Sequence, residues 1–355
     1  MVQTNKKTPK NVLIIRFSAI GDVVMMLPIV HSVAEAYPNT QFTVLSQKRF
    51  APVFAMLPAN VTFMGVDLKH DYNGMAGINK LYKELKVKHF DAVANLHGVL
   101  RTNILATRFT LNGGTKVRSI KKRRLQRQKL TRKFCKNLTP QLPTTEKYKS
   151  VLQKLGFNFN ITFKSIFGNN KGDLSQIEQF TGRKECHWIG VAPFAAHKGK
   201  IYPLEKMEQV VAAIDKSANA RILLFAYGKE QEQIKSWIEK YPSITIVGGQ
   251  LNMQEELILM NHLDVMLAMD SSNTHLASIA GCRVISVWGA THPAAGFAGF
   301  GQKETDAIQV DMACRPCSIY GKKPCRYGDY RCMYSIKPET IIEVPNTSSF
   351  KTCKI

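Results

Sequence analysis

Short apolar runs alternate with longer amphipathic stretches along most of the chain. In the first half, runs of five or six residues predict strands at 11–16, 41–45, 61–66 and 91–96, and the stretches between them predict helices at 22–37, 49–56 and 80–85. Strands that alternate with helices predict a parallel sheet covered on both faces.

The second half repeats this alternation. Strands are predicted at 188–192, 221–226, 244–247, 265–268 and 284–287, and helices at 204–217, 230–241, 253–261 and 274–280. The stretch 167–185 between the halves is rich in Gly, Asn, Lys and Ser, which is typical of a boundary between domains. We therefore predict an α/β protein with an N-terminal domain at 1–170, a linker at about 171–185 and a C-terminal domain at 186–355.

Length and composition place the chain among ordinary globular proteins. The 355 residues suffice for two or three domains, and 45% hydrophobic with 21% charged residues excludes wholesale disorder and a disulfide-dense mini-protein. The start, with Lys6 and Lys7 before apolar residues, faintly resembles a signal peptide, but Arg16 and Asp22 interrupt the apolar stretch. No apolar run approaches the length of a membrane span, so we expect a cytoplasmic protein.

The net charge of +23 is unusual for an ordinary globular protein, and it is concentrated in the N-terminal half of the chain. Residues 1–170 hold 28 basic and 7 acidic residues, against 21 and 19 in the remainder. A merely basic protein would spread its charge more evenly, so we expect the N-terminal half to face an anionic partner. Nucleic acid, an acidic membrane surface and a phosphorylated substrate all remain open at this point.

The composition of the basic segment 116–136 narrows the choice among these three classes of anionic partner. Its only aromatic residue is Phe134, so it lacks the stacking platforms of a single-strand binder, and no helix-turn-helix or zinc-finger spacing accompanies it. A phosphorylated lipid at the cytoplasmic face of a membrane fits better than nucleic acid.

Residues 17–22 connect the first predicted strand to the first predicted helix. Gly21 permits a tight or left-handed backbone, and Asp22 falls near the start of the helix. The local sequence by itself favours Asp22 as a helix N-cap. The functional alternative is a carboxylate at the carboxyl edge of the strand, kept ionised by the helix terminus and able to accept a proton.

Two further segments carry polar side chains directly after predicted strands. At 269–275, the hydroxyls of Ser271, Ser272 and Thr274 precede or open a helix, which is typical of a phosphate site; a simple cap with His275 packed in the first turn is the alternative. Lys200, in the loop 197–203, offers a charge that neutralises a leaving phosphate, although a solvated loop lysine is the commoner outcome.

The sequence lacks the motifs of several other enzyme classes. It has no Gly-x-Gly-x-x-Gly after a strand, no Walker loop, no His-Glu-x-x-His and no Gly-x-Ser-x-Gly. These absences weaken dehydrogenase, P-loop NTPase, zinc protease and serine hydrolase interpretations.

Four of the eight cysteines form a cluster in the sequence, and Cys135, Cys186, Cys282 and Cys353 are scattered. A cytoplasmic location argues against a disulfide framework. A structural zinc ion held by four thiolates is one possibility, although the spacing of the second pair is wide; a reduced or redox-labile loop is the favoured alternative. The clustered residues are Cys314, Cys317, Cys325 and Cys332.

Taken together in order, residues 12–23, 200–203 and 270–277 resemble glycosyltransferase family 9, the lipopolysaccharide heptosyltransferases, and residues 95–101 add to the resemblance, which spans about 11–301. The resemblance implies a GT-B fold, in which two doubly wound Rossmann-like domains face each other across a cleft. It implies an acceptor on the N-terminal domain and a sugar nucleotide on the C-terminal domain. The implied reaction is an inverting, metal-independent transfer of a heptose from ADP-heptose to a lipopolysaccharide inner-core acceptor, with no cofactor required.

The resemblance also assigns roles residue by residue. Asp22 matches the general base and Lys200 the lysine that contacts the donor phosphate or sugar. On the donor side it implicates Glu230, Leu251, Asp270, Ser271, Ser272 and His275. On the acceptor side we expect Ser18, Gly21, Arg101, Lys121, Lys122, Arg123 and Arg124.

Two departures from the family pattern concern the donor. Ala195 and Ala196 stand where some members carry hydroxyl residues, and Ser272 stands where a glycine is common. A family 9 enzyme using another sugar nucleotide is therefore one alternative. A basic membrane- or RNA-binding protein with a degenerate sugar-nucleotide site is the other. In the preferred interpretation the enzyme is peripheral at the inner face of the cytoplasmic membrane.

Overall fold

The computed structural model describes residues 8–111, 114–216 and 220–346. Lys6, Lys7, Ser217 and Cys353, which entered the predictions, lie outside the described residues. Contacts divide the chain into two compact units. Residues 1–123 and 142–166 form the first unit, and residues 124–141 and 167–355 form the second.

The first unit is built on a parallel sheet of five strands in the order β3-β2-β1-β4-β5. Its strands are β1 (Asn11–Ile15), β2 (Gln41–Gln47), β3 (Val61–Val66), β4 (Ala92–Asn95) and β5 (Lys116–Ser119). Its helices are α1 (Ile20–Val24), α2 (Leu27–Ala36), α3 (Gly74–Lys86) and α4 (Leu100–Leu111), with α6 (Thr144–Leu155) rejoining it later in the chain. Because β1 and β4 are neighbours, the loops after them leave a crevice at the carboxyl edge of the sheet.

The apolar residues of the strands form the core of this unit. Leu13 and Ile15 of β1 are fully buried together with Leu45 of β2 and Val93 of β4, and Leu85 of α3 covers them. A continuous hydrophobic run is expected for a parallel strand covered on both faces.

Several sequence predictions for this unit need correction, and α4 and α6 were not predicted. One helix was expected at 22–37, but α1 and α2 are separate, because Pro28 suits the first turn of a new helix rather than a helix interior. The segment 49–56 forms a 3₁₀ helix, Lys48–Phe54, with Pro52 inside it. Strand β5 was missed because it is a short edge strand with two basic residues among its four.

The second unit carries a parallel sheet of six strands in the order β11-β10-β9-β6-β7-β8. The strands are β6 (His187–Ala192), β7 (Ala220–Leu224), β8 (Ile244–Ile246), β9 (Val265–Met269), β10 (Val284–Val287) and β11 (Ala307–Ile308). The helices are α5 (Arg124–Leu130), α7 (Glu178–Thr181), α8 (Leu204–Lys216), α9 (Lys229–Gln233), α10 (Lys235–Lys240), α11 (Met253–His262), α12 (Ser272–Ile279), α13 (Arg331–Tyr334) and α14 (Pro338–Asn346). Strands β6 and β9 are neighbours at the point where the strand order reverses.

The second unit departs from the predictions at several places, and α5, α13 and α14 were not predicted. The helix expected at 230–241 consists of two short helices, α9 and α10. The segment 171–185, expected to be a linker, contains the 3₁₀ helix Leu174–Ile177 and α7. The short edge strand β11 was not predicted.

The segment 124–141 belongs to the second unit, although it lies between two stretches of the first unit in the sequence. The side chain of Arg127 binds the Tyr320 hydroxyl and lies 5.3 Å from the ring centre of Phe297. The backbone N–H of Gln141 donates to the carbonyl of Ala294 at 2.7 Å. The first unit therefore does not coincide with the continuous domain expected at 1–170, and the predicted roles of the two domains stay predictions.

Within residues 8–111, 114–216 and 220–346, every helix is too short or too polar to cross a membrane.

Candidate active site

The carboxyl edge of the first sheet holds an ion pair between Arg16 and Asp22. Arg16 follows β1 directly, and its guanidinium contacts the Asp22 carboxylate. Its Nη1 also donates to the Leu96 carbonyl, after β4, at 2.6 Å. Arg16 is buried, whereas the Asp22 side chain keeps a quarter of its surface exposed. A partly exposed carboxylate held by a fixed cation is accessible to a substrate hydroxyl.

The structure corrects the local interpretation of Asp22 as a helix N-cap. The N-cap of α1 is Ala19, which has no side-chain oxygen, and Asp22 is the third residue of the helix. The backbone carbonyl of Asp22 accepts a hydrogen bond at 3.0 Å from the hydroxyl of Tyr148, whose ring also lies 5.6 Å from the Arg16 guanidinium. Tyr148 on α6 is fully buried, and sequence reasoning missed it because α6 was not predicted.

His97, after β4, is a second residue of this edge; it lies within residues 95–101 but was not among the predicted site residues. Its Nδ1 accepts from the Phe17 N–H at 3.5 Å, which places the proton of a neutral ring on Nε2, 3.4 Å from the Ser18 hydroxyl. Burial, with smaller contributions from the nearby charges of Arg16 and Lys122, lowers the pKa of His97 to about 4. The ring is therefore neutral at physiological pH.

The other residues expected on the acceptor side occupy varied positions in the first unit. Gly21 lies inside α1, so the left-handed backbone allowed for it is not used. Arg101 lies in the first turn of α4, and Lys121, Lys122 and Arg123 follow β5. Arg124 opens α5 and belongs to the second unit. Ser18 and Lys122 both approach His97, so these two are brought together with it.

The carboxyl edge of the second sheet holds the pair formed by Lys200 and Asp270. Lys200 lies in the loop after β6 and Asp270 directly after β9, and the Lys200 Nζ is 2.9 Å from Oδ2 of Asp270. Both side chains are largely buried, with exposed fractions of 15% and 9%. Lys200 is therefore not a solvated loop lysine.

Helix α12 begins beside this pair, two residues earlier than predicted. Ser271 is its N-cap, in an extended conformation, and its side chain makes no capping hydrogen bond. Across residues 8–111, 114–216 and 220–346, the Ser271 Oγ is one of few buried side-chain polar atoms without a hydrogen-bond partner. Ser272 starts the helix, and His275 is buried in its first turn. Backbone N–H groups and an unused hydroxyl at a helix start are suited to an anion.

Glu230, expected near the nucleoside, lies in α9, which follows β7, and Leu251, expected there as well, lies in the loop after β8 of the same sheet. The Glu230 carboxylate accepts from the backbone N–H of Tyr227 at 2.9 Å. Sequence reasoning missed Tyr227 and Glu256: the Tyr227 hydroxyl donates to Glu256 of α11 at 2.9 Å. Burial raises the pKa of Glu256 to about 7. Because the strands are parallel, the segments that follow β7 and β8 lie at the edge that carries Lys200 and Asp270.

The cysteine cluster does not form the zinc site that was considered. Within the part of the chain that the structure describes, no group of three or more His, Cys, Asp or Glu side chains is arranged to hold a metal ion. The sulfur of Cys325 instead lies 3.8 Å from an Asp329 oxygen, and that of Cys317 lies 3.8 Å from the Ala290 carbonyl. Burial raises the pKa of Cys317 and that of Cys332, the latter to about 11.

Comparison with known protein families identifies the family of the chain. The sequence model of "Glycosyltransferase family 9 (heptosyltransferase)" matches residues 78–330. The chain belongs to glycosyltransferase family 9. The protein is therefore a glycosyltransferase of the heptosyltransferase type, and the resemblance stated from the sequence is confirmed.

Relatives and solved structures agree with this family. The chain is 24% identical over 296 residues to the "Lipopolysaccharide core heptosyltransferase OpsX" of Haemophilus influenzae, covering 81% of both chains. A family 9 glycosyltransferase from Veillonella parvula has a TM-score of 0.73 at 18% identity and covers 95% of this chain and 96% of its own. E. coli heptosyltransferase WaaC, solved with ADP-2-deoxy-2-fluoro heptose, has a TM-score of 0.66 at 17% identity and covers 95% and 99%. These likenesses confirm the predicted GT-B fold.

Proposed function

We propose that the protein transfers a heptose from ADP-heptose to a phosphorylated lipopolysaccharide inner-core acceptor, with inversion at the anomeric carbon and without a metal ion. The observation that carries the proposal is the buried pair of Lys200 and Asp270 beside the start of α12, in a chain that belongs to family 9. Curated relatives named as heptosyltransferases and a solved relative containing an ADP-heptose analogue support the donor.

On the donor side, the second unit offers positive charge and N–H groups for a diphosphate. Asp270 accepts one hydrogen bond from the Lys200 ammonium and so orients it, which leaves two N–H bonds for phosphate oxygens. The N-terminal N–H groups of α12 and the hydroxyl of Ser271 add further donors. Together they stabilise the negative charge that develops on the leaving ADP, which is the role a metal ion plays in other transferases.

On the acceptor side, Asp22 is the general base. As the acceptor oxygen attacks the anomeric carbon, its proton passes to the Asp22 carboxylate and the bond from that carbon to the diphosphate oxygen breaks. Attack from the face opposite the leaving group inverts the configuration, through a transition state with oxocarbenium character. Arg16 holds the carboxylate in place, and Tyr148 anchors the backbone that carries it. We further propose that neutral His97 and Ser18 orient the acceptor hydroxyl.

A position at the inner face of the cytoplasmic membrane fits the chemistry of a lipid acceptor. The segment 124–141 contains six basic and no acidic residues, and it exposes Leu125 and Phe134 to solvent by more than 70% of their surface. Cations beside exposed apolar side chains are suited to an anionic membrane surface.

Product detection by mass spectrometry tests the reaction. The enzyme is incubated with acceptor fragments of the lipid A core and with a panel of ADP-, UDP- and GDP-sugars, in the presence and absence of EDTA. We expect a heptose adduct with ADP-heptose alone, unaffected by EDTA, and NMR of the product shows inverted anomeric configuration. Transfer from a different sugar nucleotide establishes the alternative donor, for which Ser272 is the motivating residue.

Calorimetry with nucleoside diphosphates separates an enzyme from a binding-only protein. A transferase of this type binds ADP selectively, and Lys200→Ala weakens the use of donor more than that of acceptor. A basic binding protein with a degenerate site shows no selective affinity for any nucleoside diphosphate. If only the KM of the acceptor rises in Lys200→Ala, the assignment of Lys200 to the donor is wrong.

A further inference from the structure

The loop between Cys314 and Cys332 places Gly321 directly against the side chain of Lys200. A methyl group added at the Gly321 Cα would lie 2.5 Å from Cδ and 2.7 Å from Cγ of Lys200. Gly321 is itself buried and has φ of +78°. The absence of a side chain at this position therefore leaves the space that the Lys200 methylenes occupy.

Backbone hydrogen bonds connect this loop to the segment that carries Lys200. The N–H of Ala290 donates to the carbonyl of Gly199 at 2.8 Å, and the carbonyl of Ala290 accepts from Cys317 and Ser318 at 3.1 and 3.2 Å. Gly199 packs closely on Ala290, because a Cβ there would lie 2.8 Å from that of Ala290. The residues before Lys200 are thus attached through Ala290 to the cysteine-bearing loop.

Arg315 fixes the loop to the backbone on both sides of Ala290. It is buried, its Nε donates to the Gly289 carbonyl at 2.5 Å, and its Nη2 donates to the Thr291 carbonyl at 3.1 Å. These two carbonyls flank Ala290, so one guanidinium holds the backbone on both sides of it. A planar group with several fixed donors is suited to this bridging.

We propose that Gly321 is a positioning residue for Lys200, through which the cysteine-bearing loop holds the ammonium group at Asp270 for the donor diphosphate. This inference rests on the proposed donor role of Lys200. The methylenes of Lys200 lie between the Gly321 backbone and the Asp270 carboxylate, so a long, flexible side chain is restricted to one direction. Restricting it before the donor binds lowers the entropy lost on binding.

Gly321→Ala tests the inference, with Gly328→Ala as its matched control. Gly328 lies in the same loop with φ of +79°, and a Cβ there has no contact within 4 Å. Both variants carry the backbone strain of alanine in a left-handed conformation, but only Gly321→Ala displaces Lys200. We expect the KM of ADP-heptose and the Kd of ADP to rise about tenfold or more in Gly321→Ala, the scale of one charge-assisted hydrogen bond. Gly328→Ala stays within about twofold of wild type, and the KM of the acceptor is unchanged in both.

A double-mutant cycle shows whether Gly321 acts through Lys200. In a Lys200→Ala background, adding Gly321→Ala is expected to change donor KM by less than about twofold. It is also expected to lower the melting temperature only as much as Gly328→Ala does in wild type, because the clash with Lys200 is gone and only the backbone strain remains. Equal effects of Gly321→Ala in both backgrounds, or equal effects of the two glycine variants, overturn the inference. If Gly321→Ala fails to fold, folding of the double variant supports the inference and its failure overturns it.

The cycle also separates this inference from the proposed function. If Lys200→Ala leaves donor KM and ADP affinity unchanged, the donor role of Lys200 is wrong, and the positioning role falls with it. If Lys200→Ala weakens the donor and Gly321→Ala does not, only the positioning role is wrong.

Discussion

At the residue scale, each sheet edge pairs one acidic side chain with one basic side chain. Asp22 pairs with Arg16 in the first unit, and Asp270 pairs with Lys200 in the second. Asp22 keeps more exposure than Asp270, which is buried. A carboxylate that must meet a substrate proton needs access, whereas one that orients a cation does not. This difference supports the assignment of Asp22 as the base and of Asp270 as the partner of Lys200.

Replacing Asp22 by Asn tests this assignment. The change removes the proton acceptor but preserves the size of the side chain, so transfer is expected to fall by about 10²–10⁴-fold while ADP affinity stays nearly unchanged. Single-turnover kinetics and calorimetry measure the two effects. Activity within a few-fold of wild type would show that Asp22 serves only as the partner of Arg16. Asp71→Asn, at an exposed aspartate of the same unit, is the control.

A buried group, Glu256, and a half-buried group, His97, predict opposite pH dependences of stability. The pKa of Glu256 is raised in the folded protein from 4.5 to about 7, so the stability that it contributes is fully present below pH 4.5 and is lost as pH rises through 7. The pKa of His97 is lowered from 6.5 to about 4, so the folded state loses stability as pH falls through that range. Glu256→Gln removes the first of these titrations, and His97→Gln removes the second.

We expect the stability of Glu256→Gln relative to wild type to increase by about 2 kcal/mol between pH 4.5 and 7. The stability of His97→Gln relative to wild type is expected to increase as pH falls from 6.5 towards 4, because only the wild type loses stability over that range. Urea denaturation across this pH range measures both differences. Parallel curves for wild type and either variant would show that the group in question titrates normally in the folded protein.

At the element scale, the basic segment is divided between a strand of one unit and a helix of the other. Lys116 and Arg118 lie on β5, and Arg127 lies on α5, where it contacts Tyr320 and Phe297. Of the cations at 121–124, the first three lie between these two elements and Arg124 is the first residue of α5. They are the part of the segment that a phosphorylated acceptor or an anionic membrane surface contacts in the proposed function.

Replacing Lys121, Lys122, Arg123 and Arg124 together by Gln is therefore expected to raise the apparent KM of the acceptor and to reduce binding to anionic vesicles. Each cation near such a surface contributes about 1 kcal/mol, and the attraction decays within a Debye length of about 8 Å at physiological salt. Raising the salt concentration mimics the variant in the wild type, and donor affinity stays unchanged.

A control variant removes the same charge from exposed lysines elsewhere in the first unit: Lys69, Lys83, Lys86 and Lys88. If both quadruple variants lose vesicle binding equally, only net charge matters and the segment has no particular role. If neither changes acceptor kinetics or vesicle binding at low salt, the segment is a solvated surface.

At the scale of the whole molecule, the two units have separate hydrophobic cores and a more even charge than the two halves of the sequence. The first unit contains 22 basic and 7 acidic residues and the second 27 and 19, since six cations of the segment 124–141 belong to the second unit. The unit that carries Asp22 remains the more basic one, which agrees with an anionic acceptor there.

Separate cores predict separate effects of core substitutions. Leu85 and Ile222 are fully buried in the cores of the first and second units, and replacing either by Ala is expected to cost about 2–5 kcal/mol. ADP binds the second unit in the proposed function. We therefore expect Leu85→Ala to keep its ADP affinity and the ADP-dependent rise in melting temperature, both within about twofold. Calorimetry at a temperature where Leu85→Ala is folded measures its ADP binding. Loss of that binding would contradict the assignment of the ADP site to the second unit.

The alternation of strands and helices and the residues that end most of the strands follow from the sequence alone, because hydrophobic period and loop chemistry are local properties. The GT-B fold class came instead from the resemblance of the ordered motifs to glycosyltransferase family 9. The sequence assigned Asp22, Lys200 and the start of α12 through motifs that lie within a few residues. Tertiary structure decided the partners of these residues: Arg16 reaches the Leu96 carbonyl 80 residues away, and Gly321 lies against Lys200. It also placed 124–141 in the second unit. Such contacts depend on which strands are neighbours and on which loops then meet at the sheet edge, and no local pattern specifies either one.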